Sequence, residues 1–260
     1  MNKQFVREGA LMDIASYPTW TRELVEACSD SKQHVVQHEL FKAMRDASLD
    51  AAAARQFLIG VWPVIDQFPQ YMAINLLKIR YGEHPGQEMA RRYLVRNIRV
   101  EQNHADHWLA WAKASGISRA ELIEGKVPVG IVSLSHWCWH TCERESLAVA
   151  MAATNYAIEG ATGEWASLVC SRDNYEHSFA PLSRKKAMKW LRLHAHYDDK
   201  HPWEALEIIV TLLGLDPAAR EVDKLRRTIC TSHDYMRMTL DHSLFAGTAA
   251  RVDPPALQAA

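Results

Sequence analysis

Residues 87–114 have the sequence QEMARRYLVRNIRVEQNHADHWLAWAKA, which contains neither proline nor glycine. Apolar side chains recur along it with helical spacing, at Leu94, Ile98, Ala105, Trp108 and Ala112. This spacing predicts a helix that buries one face. Glu101 falls inside the apolar stripe, so the same helix is predicted to place a carboxylate in the protein interior.

The rest of the chain follows the same helical pattern. Proline and glycine are sparse and fall between helical stretches, as at Tyr17-Pro18, His84-Pro85-Gly86 and Asp216-Pro217. Helices are predicted at about residues 19–47, 50–80, 87–114, 118–124, 133–171, 183–201, 203–213 and 218–244. Strict polar–apolar alternation is missing, which argues against strands. We therefore predict an all-α fold, with residues 1–246 as a single helical domain and residues 247–260 as a flexible tail.

Charge and cysteine content narrow the class of protein. The 30 Lys and Arg residues nearly balance the 31 Asp and Glu residues, which argues against a nucleic-acid partner and favours a small molecule. The five cysteines contain no CxxC pair, which predicts reduced thiols and a cytoplasmic location. No stretch is long and apolar enough to predict membrane insertion. No surface stripe indicates an oligomeric state.

His104 follows Glu101 by three residues. Residues at i and i+3 of a helix project together, so the two side chains can reach a single point in the interior. Bundle proteins use this Glu-x-x-His arrangement to bind iron or manganese. Such a short motif also occurs by chance, and the alternative is a solvated helix face.

A second candidate is Glu159, in the segment NYAIEGATGEW at residues 155–165. It shares a predicted helix face with small residues, namely Ala148, Ala152, Gly163, Ala166 and Cys170. Two glycines inside a helix each cost about 1 kcal/mol relative to alanine, so they indicate close packing or space beside Glu159. The alternative is tight helix packing with Glu159 paired to an arginine.

The third candidate is the segment HAHYDDKH at residues 194–201. His194, Asp198 and His201 are spaced i, i+4 and i+7, so a continuous helix would place all three on one face. Pro202 qualifies this prediction, because the residue before a proline is disfavoured in the α conformation. His201 is then expected at a helix end or kink.

Together these buried ionisable groups favour a metal site. Carboxylates gathered in an apolar interior repel one another and are costly to bury unless a cation neutralises them. Histidine and carboxylate ligands without thiolates suit non-haem iron or manganese, and we favour one or two Fe(II) ions. The sequence contains no motif of a serine hydrolase, a phosphate-binding loop or a dinucleotide-binding fold, so no other cofactor is expected.

These segments resemble the haem-oxygenase-like diiron oxidases, a family that shares its fold with thiaminase-like and pyrroloquinoline-quinone-synthase-like proteins. The similarity covers most of the chain and is most specific at residues 97–106 (NIRVEQNHAD), 155–165 and 194–208. Within the family, the chain is most similar to fatty-acid decarboxylases that form terminal alkenes such as 1-undecene. The resemblance implies a single-domain helical bundle of about seven helices.

The resemblance also implies two metal sites. One iron ion would be held by Glu101, His104 and His194, and a second, more weakly held ion by Glu159, Asp198 and His201. Asp66 stands where similar enzymes carry glutamate, and its shorter side chain would reach the metals only through water. The resemblance assigns no catalytic residue beyond these ligands.

The implied reaction is the O2-dependent oxidative decarboxylation of a medium-chain fatty acid such as dodecanoic acid. Hydrogen is removed from the β-carbon, CO2 is lost and a terminal alkene forms, with an external electron donor as a further expected partner. Three alternatives stay open. They are a same-fold iron oxidase acting on an amino acid or another small amine or acid, a metal-free relative with a cysteine nucleophile, and a non-catalytic iron-binding or interaction protein.

Overall fold

The computed structural model describes residues 3–197 and 200–249. The regular elements in these ranges are helices, without a strand, so the predicted all-α fold is confirmed. The α-helices are α1 (Thr19–Ala27), α2 (Ser29–Val36), α3 (Glu39–Arg45), α4 (Ala51–Leu77), α5 (Pro85–Glu101), α6 (His104–Ala114), α7 (Arg119–Glu124), α8 (Val129–Arg144), α9 (Leu147–Met151), α10 (Glu159–Cys170), α11 (Asn174–His177), α12 (Pro181–Ala187), α13 (Lys189–Tyr197), α14 (His201–Leu213) and α15 (Ala219–Ala249). A π-helix, π1 (Ala152–Ile158), joins α9 to α10, and a short 3-10 helix (Ile14–Ser16) precedes α1.

The expected number of about seven helices is wrong. The described residues contain fifteen α-helical segments. The predicted helix at residues 19–47, for example, is divided into α1, α2 and α3. Cys28 separates α1 from α2, and the His38 side chain begins α3 by accepting a hydrogen bond from the Leu40 amide. A side chain in this position satisfies an amide that has no partner within the helix.

α4 is the central helix of the bundle and packs against α5, α8 and α15. Pro63 and Pro69 lie inside it, although proline removes a backbone N–H and is unfavourable in a helix interior. Buried side chains such as Phe57 and Tyr71 lie on either side of the two prolines. Their packing keeps the segment helical, because tertiary contacts outweigh local propensity.

The segment that carries Glu159 is not the single α-helix predicted at residues 133–171. α8 ends at Arg144, and the Ser146 side chain begins α9 by accepting a hydrogen bond from the Val149 amide. α9 then continues into π1 and π1 into α10. π-helical turns are rare and are frequent at functional sites. The change from π-helical to α-helical hydrogen bonding directly before Glu159 therefore marks this carboxylate as a candidate functional residue.

Aromatic side chains fill the core between α6, α10 and α13. Trp108, Trp111, Trp165 and Trp190 are at most 3% exposed. The rings of Trp108 and Trp190 meet edge to face with their centroids 4.8 Å apart, and Trp165 stacks on Trp190 at 5.5 Å. Aromatic pairs of this kind stabilise beyond their buried area. They fix α13 at Trp190, one helical turn before His194.

Within the described residues, no helix is long and apolar enough to cross a membrane. α15 extends to Ala249, and the remainder of the predicted tail lies outside the described residues. The cytoplasmic location stays a prediction.

Candidate metal centre

Glu101 and His104 meet where α5 gives way to α6. Glu101 is the last residue of α5 and His104 the first of α6, with Gln102 and Asn103 between them. The two side chains are buried, at 7% and 6% exposure, and Nδ1 of His104 lies 2.7 Å from Oε2 of Glu101. The structure therefore brings the pair together as their spacing predicts, although the single helix predicted at residues 87–114 is interrupted between them.

His194 joins this pair from α13. It is 6% exposed, and its ring centroid lies 4.6 Å from that of His104. Nδ1 of His194 lies 2.8 Å from the carbonyl oxygen of Trp190. Because a carbonyl oxygen only accepts hydrogen bonds, this contact assigns the proton to Nδ1 and leaves the lone pair on Nε2. Metal-binding histidines are commonly oriented in this way. We call Glu101, His104 and His194 the first group.

Glu159 is 6% exposed and begins α10. Its Oε1 accepts a hydrogen bond of 2.6 Å from Nδ2 of Asn155, and its Oε2 accepts one of 3.4 Å from the Tyr93 hydroxyl. Nδ1 of His201, the first residue of α14, lies 3.7 Å from Oε2. The side chain that lies beside Glu159 here is thus a histidine rather than an arginine. We call Glu159 and His201 the second group.

One face of α5 aligns the two groups. Tyr93, Asn97 and Glu101 are spaced at intervals of four residues, and all three are buried. At 1.5 Å of rise per residue, Tyr93 and Glu101 lie about 12 Å apart along the helix axis. Glu159 contacts α5 at Tyr93, whereas His104 contacts it at Glu101. The two groups therefore lie beside the same face of α5, about two helical turns apart.

The predicted ligands also include Asp66 and Asp198. Asp66 lies on α4 with its side chain exposed. Asp198 lies outside the described residues. A continuous helix through residues 194–201 is wrong, since Lys200 lies in a turn, whereas the expected position of His201 at a helix end is confirmed by the start of α14 at that residue. Pro202 falls in the first turn of α14, where its missing N–H needs no partner.

The chemistry of the buried side chains fits iron. Both buried carboxylates, Glu101 and Glu159, contact a histidine, and the two groups offer carboxylate oxygens and imidazole nitrogens, which suit non-haem iron. In residues 3–197 and 200–249, no three His, Cys, Asp or Glu side chains are close enough together to hold a metal ion. A complete ligand set therefore requires a residue outside these ranges or a movement of side chains within the groups.

Sequence analysis missed the residues that orient these side chains. Asn155 precedes Glu159 by four residues, so helical spacing was the available signal for this contact. Tyr93 contacts Glu159 from another helix, so its place on the face of α5 that carries Glu101 gave no signal for that contact. The contact of His194 with the backbone carbonyl of Trp190 could not be predicted from residue types, because every residue has a backbone carbonyl. His107 was also missed, and its ring centroid lies 6.4 Å from that of His104. Burial lowers the pKa of His107, so this ring adds no positive charge at neutral pH.

An apolar cavity of about 50 Å³ lies between α4, α8, α10, α13 and α15. Its lining includes Val61, Ile65, Thr162, Trp190 and Leu240. The indole of Trp190 also stacks on the His194 ring, with the centroids 3.7 Å apart. One side chain therefore separates the apolar cavity from the first group.

A larger cavity of about 550 Å³, which we call the polar cavity because charged and polar side chains share its lining with apolar ones, lies on the other side of α10. Its lining includes Lys32, Gly160, Gly163, Pro202 and His233. Gly160 directly follows Glu159 in the sequence, and Pro202 directly follows His201, so the cavity adjoins the second group. Both glycines of α10 line this cavity, and a Cβ at Gly160 would lie 3.4 Å from Cβ of Pro202. Close packing, one of the explanations that the sequence left open, therefore holds at Gly160.

A protein-family model described as an iron-containing redox enzyme of haem-oxygenase type matches residues 55–230. That range contains every described residue of both groups. The chain belongs to this family. The family description names iron and redox chemistry, and it names no substrate.

Three crystal structures are similar to this one. A TenA homolog from Pseudomonas syringae pv. tomato str. DC3000 is 53% identical, has a TM-score of 0.92, and the match covers 94% of this chain and 100% of that chain. A TenA homologue from Pyrococcus furiosus is 13% identical with a TM-score of 0.69, covering 86% of this chain and 100% of that one. A domain of unknown function with a heme oxygenase-like fold from Shewanella denitrificans is 13% identical with a TM-score of 0.71, covering 90% and 96%.

The two distant structures show the shared fold alone. With the family match, they confirm the haem-oxygenase-like fold that the sequence resemblance implies. A comparison with curated protein sequences finds no match.

Proposed function

We propose that this protein is a non-haem iron, O2-dependent oxidative decarboxylase that converts medium-chain fatty acids, such as dodecanoic acid, to terminal alkenes and CO2. The observation that carries the proposal is the position of Trp190, which lines the apolar cavity and stacks on His194. An alkyl chain held in that cavity would end beside the first group. A carboxylate at the end of the chain would reach the histidines when the Trp190 indole moves aside.

The two groups supply the residues that would hold iron. Glu101, His104 and His194 would hold one ion, and Glu159, Asp198 and His201 a second. Bound ferrous iron supplies the activation of O2 that the reaction requires. The family match to iron-containing redox enzymes supports the choice of metal.

The protein's own task is to position the metal ligands and the substrate and to exclude water from the site. The Trp190 carbonyl keeps the proton of His194 on Nδ1, so Nε2 is ready to bind a cation. Asn155 and Tyr93 hold the two oxygens of Glu159 in place. The apolar lining holds the substrate chain in one orientation, which lowers the entropy cost of reaching the reactive geometry.

The apolar cavity is narrower than an ordinary ligand site. At about 50 Å³, it is well below the roughly 300–1,000 Å³ of typical small-molecule pockets. A medium-chain acid therefore enters only if lining side chains move apart. Met236 is part of the lining, and methionine adapts its shape at low cost.

The electron balance of the reaction requires a second product or a second partner. Loss of CO2 and formation of the alkene remove two electrons from the fatty acid, whereas reduction of O2 to water takes up four. Either an external donor supplies the other two, or O2 is reduced only to hydrogen peroxide. Measuring peroxide alongside the alkene distinguishes these cases.

A second candidate function is oxidation of an amino acid or another small amine or acid by the same groups. The polar cavity favours it. This cavity contains Lys32, Glu164 and His233 in its lining and adjoins the second group. A charged substrate would be recognised there by ion pairs and hydrogen bonds rather than by apolar contacts.

The cysteine-nucleophile alternative has little support from the thiols. Burial raises the pKa of Cys28 to about 12 and those of Cys142 and Cys170 to about 11. The pKa of the fully buried Cys138 is also raised well above its ordinary value. Because the thiolate is the nucleophile, these four residues are poorly suited to attack a substrate at neutral pH.

The decisive experiment loads the protein with ferrous iron under anaerobic conditions and then adds O2 and dodecanoic acid. We expect 1-undecene in the headspace, and none from the Glu101→Ala variant. The matched control is Glu164→Ala, which removes an exposed carboxylate from α10 and should leave alkene formation unchanged. If iron binds and fatty acids of every tested length give no alkene, the decarboxylase proposal fails. Substrate-dependent O2 consumption with amino acids would then favour the second candidate.

A further inference from the structure

Two cysteines distant in sequence lie next to each other on one wall of the bundle. Cys28 joins α1 to α2, and Cys230 lies in α15. Their Sγ atoms are 3.8 Å apart. Both are free thiols, and neither belongs to the candidate metal centre.

A serine and a histidine surround this pair. The Ser31 hydroxyl lies 2.9 Å from the Cys28 carbonyl oxygen, 3.5 Å from Sγ of Cys230 and 2.9 Å from Nδ1 of His233. The Cys28 thiol in turn lies 3.9 Å from the Arg226 carbonyl oxygen. These contacts tie the α1–α2 junction to α15, so the two sulfurs are held together by their surroundings.

We propose that Cys28 and Cys230 form a reversible intramolecular disulfide when the protein meets hydrogen peroxide. The sulfurs must approach by less than 2 Å, since a disulfide bond is about 2.05 Å long. Cys28 lies at a junction between two helices rather than in the middle of one, so rotation of its side chain and a small backbone shift can provide that movement. This proposal is independent of the proposed decarboxylase activity.

The two cysteines have different parts in the reaction. Cys230 is partly exposed, whereas Cys28 is 3% exposed and lines the polar cavity. Burial also raises the pKa of Cys28 to about 12, with Cys230 as a further cause, so Cys28 stays protonated at neutral pH. The thiolate is the species that reacts with peroxide. Cys230 is therefore the sulfur that is oxidised first.

The steps balance in atoms and electrons. The Cys230 sulfur attacks one oxygen of hydrogen peroxide, the O–O bond breaks, and a sulfenic acid and water result. As the S–O bond of Cys230 breaks, the departing hydroxide takes the thiol proton of the adjacent Cys28 and leaves as a second water. The Cys28 sulfur, deprotonated in the same step, forms the S–S bond with Cys230 Sγ. Two thiols are oxidised to one disulfide while one peroxide is reduced to two waters. A dithiol reductant reverses the reaction by thiol–disulfide exchange.

The test uses the full chain in its reduced form. Native protein is treated with hydrogen peroxide, its remaining thiols are alkylated under denaturing conditions, and the protein is analysed by intact mass and by peptide mapping without reductant. We expect the wild type to lose two alkylatable thiols and the mass of two hydrogens, with a peptide that links residue 28 to residue 230. A dithiol should restore both thiols.

Three variants make the test specific. Cys28→Ser and Cys230→Ser should give no intramolecular link, and Cys170→Ser, which removes another partly exposed cysteine, should behave as the wild type. Circular dichroism establishes that each variant is folded, and the alanine substitution at the same position replaces any serine variant that is not. The link should also raise the Tm of the wild type but not that of Cys230→Ser. Absence of the linked peptide in folded wild type, or a link between other cysteines, overturns the proposal.

Discussion

The two groups of the candidate metal centre contain similar side chains, but the side chains of the first group are held more rigidly than those of the second. In the first group, His104 lies 2.7 Å from Glu101, and His194 is fixed by the Trp190 carbonyl and by ring stacking at 3.7 Å. In the second group, His201 lies 3.7 Å from Glu159 and its side chain is 18% exposed. Preorganised ligands bind a cation at a lower cost in entropy and strain. We therefore expect the first group to bind iron more tightly than the second.

The largest expected effect follows from removing one carboxylate at a time. Glu101→Ala should lower the affinity of the tighter site by more than about 100-fold, since loss of a ligand should exceed the loss of an outer-shell partner. Glu159→Ala should retain one iron ion per chain and lose the second. Anaerobic Fe(II) titration, with iron counted after gel filtration, measures both.

The matched control for this comparison is again Glu164→Ala, which should bind iron as the wild type does. Retention of the tighter ion by Glu101→Ala and its loss from Glu159→Ala would reverse the ranking of the two groups.

A smaller effect is expected from the residues that orient Glu159. Asn155→Ala removes the 2.6 Å hydrogen bond to Oε1 and should weaken the second site about 10-fold to 100-fold, as outer-shell partners of metal ligands do. Tyr93→Phe removes a hydrogen bond of 3.4 Å and should have a smaller effect. The affinity of the tighter site should not change in either variant. Equal weakening of both sites would mean that the two groups are one coupled unit.

The apolar cavity offers a third test that concerns the substrate. Thr162 lines this cavity three residues after Glu159, and Thr162→Leu should partly fill it. We expect kcat/KM for dodecanoic acid to fall about tenfold relative to that for octanoic acid, because one or two methylene groups change binding by about 1–3 kcal/mol. Thr162→Val, which nearly conserves volume, is the control. An equal loss for both acids would place the substrate chain elsewhere.

The smallest effect is expected at the rim of the polar cavity. Nζ of Lys32 lies 2.6 Å from Oε1 of Glu164, with side chains 30% and 43% exposed. Exposed ion pairs contribute between about 0 and 1 kcal/mol to stability, so Lys32→Ala should hardly change the Tm. It should also leave alkene formation from dodecanoic acid unchanged. A marked loss of activity in this variant would implicate the polar cavity in the reaction and favour the second candidate function.

Part of the candidate site was predictable because charged residues in apolar stripes are conspicuous. Glu101 falls in such a stripe, and its side chain is buried beside His104. Glu159 falls among small residues and is buried as well. In both cases the signal is the cost of burying a carboxylate, which a sequence incurs only where some partner compensates.

Other features left no such trace in the sequence. The helix break at Gln102 and Asn103 occurs without proline or glycine, so periodicity predicted an unbroken helix. Contacts with distant helices decide where such a weakly encoded helix ends. The step from α13 to α14 differs, because Pro202 predicted a helix end or kink at His201, and α14 begins there. The regular spacing of His194 and His201 alone gave no sign that the two residues lie on different helices.

The π-helix before Glu159 has a consequence for how this chain can change by insertion or deletion. Each residue of an α-helix advances the rotation about the axis by about 100°. A π-helical turn holds about one more residue than an α-helical turn, so the seven residues of π1 rotate the chain about as far as six α-helical residues would. If one residue of π1 were deleted and ordinary α-helical bonding were restored, α10 would therefore keep nearly the same rotation relative to α9. Glu159 would still face Tyr93, and Trp165 would stay in the aromatic core. The π-helix thus accommodates one extra residue without changing which neighbours the following helix meets.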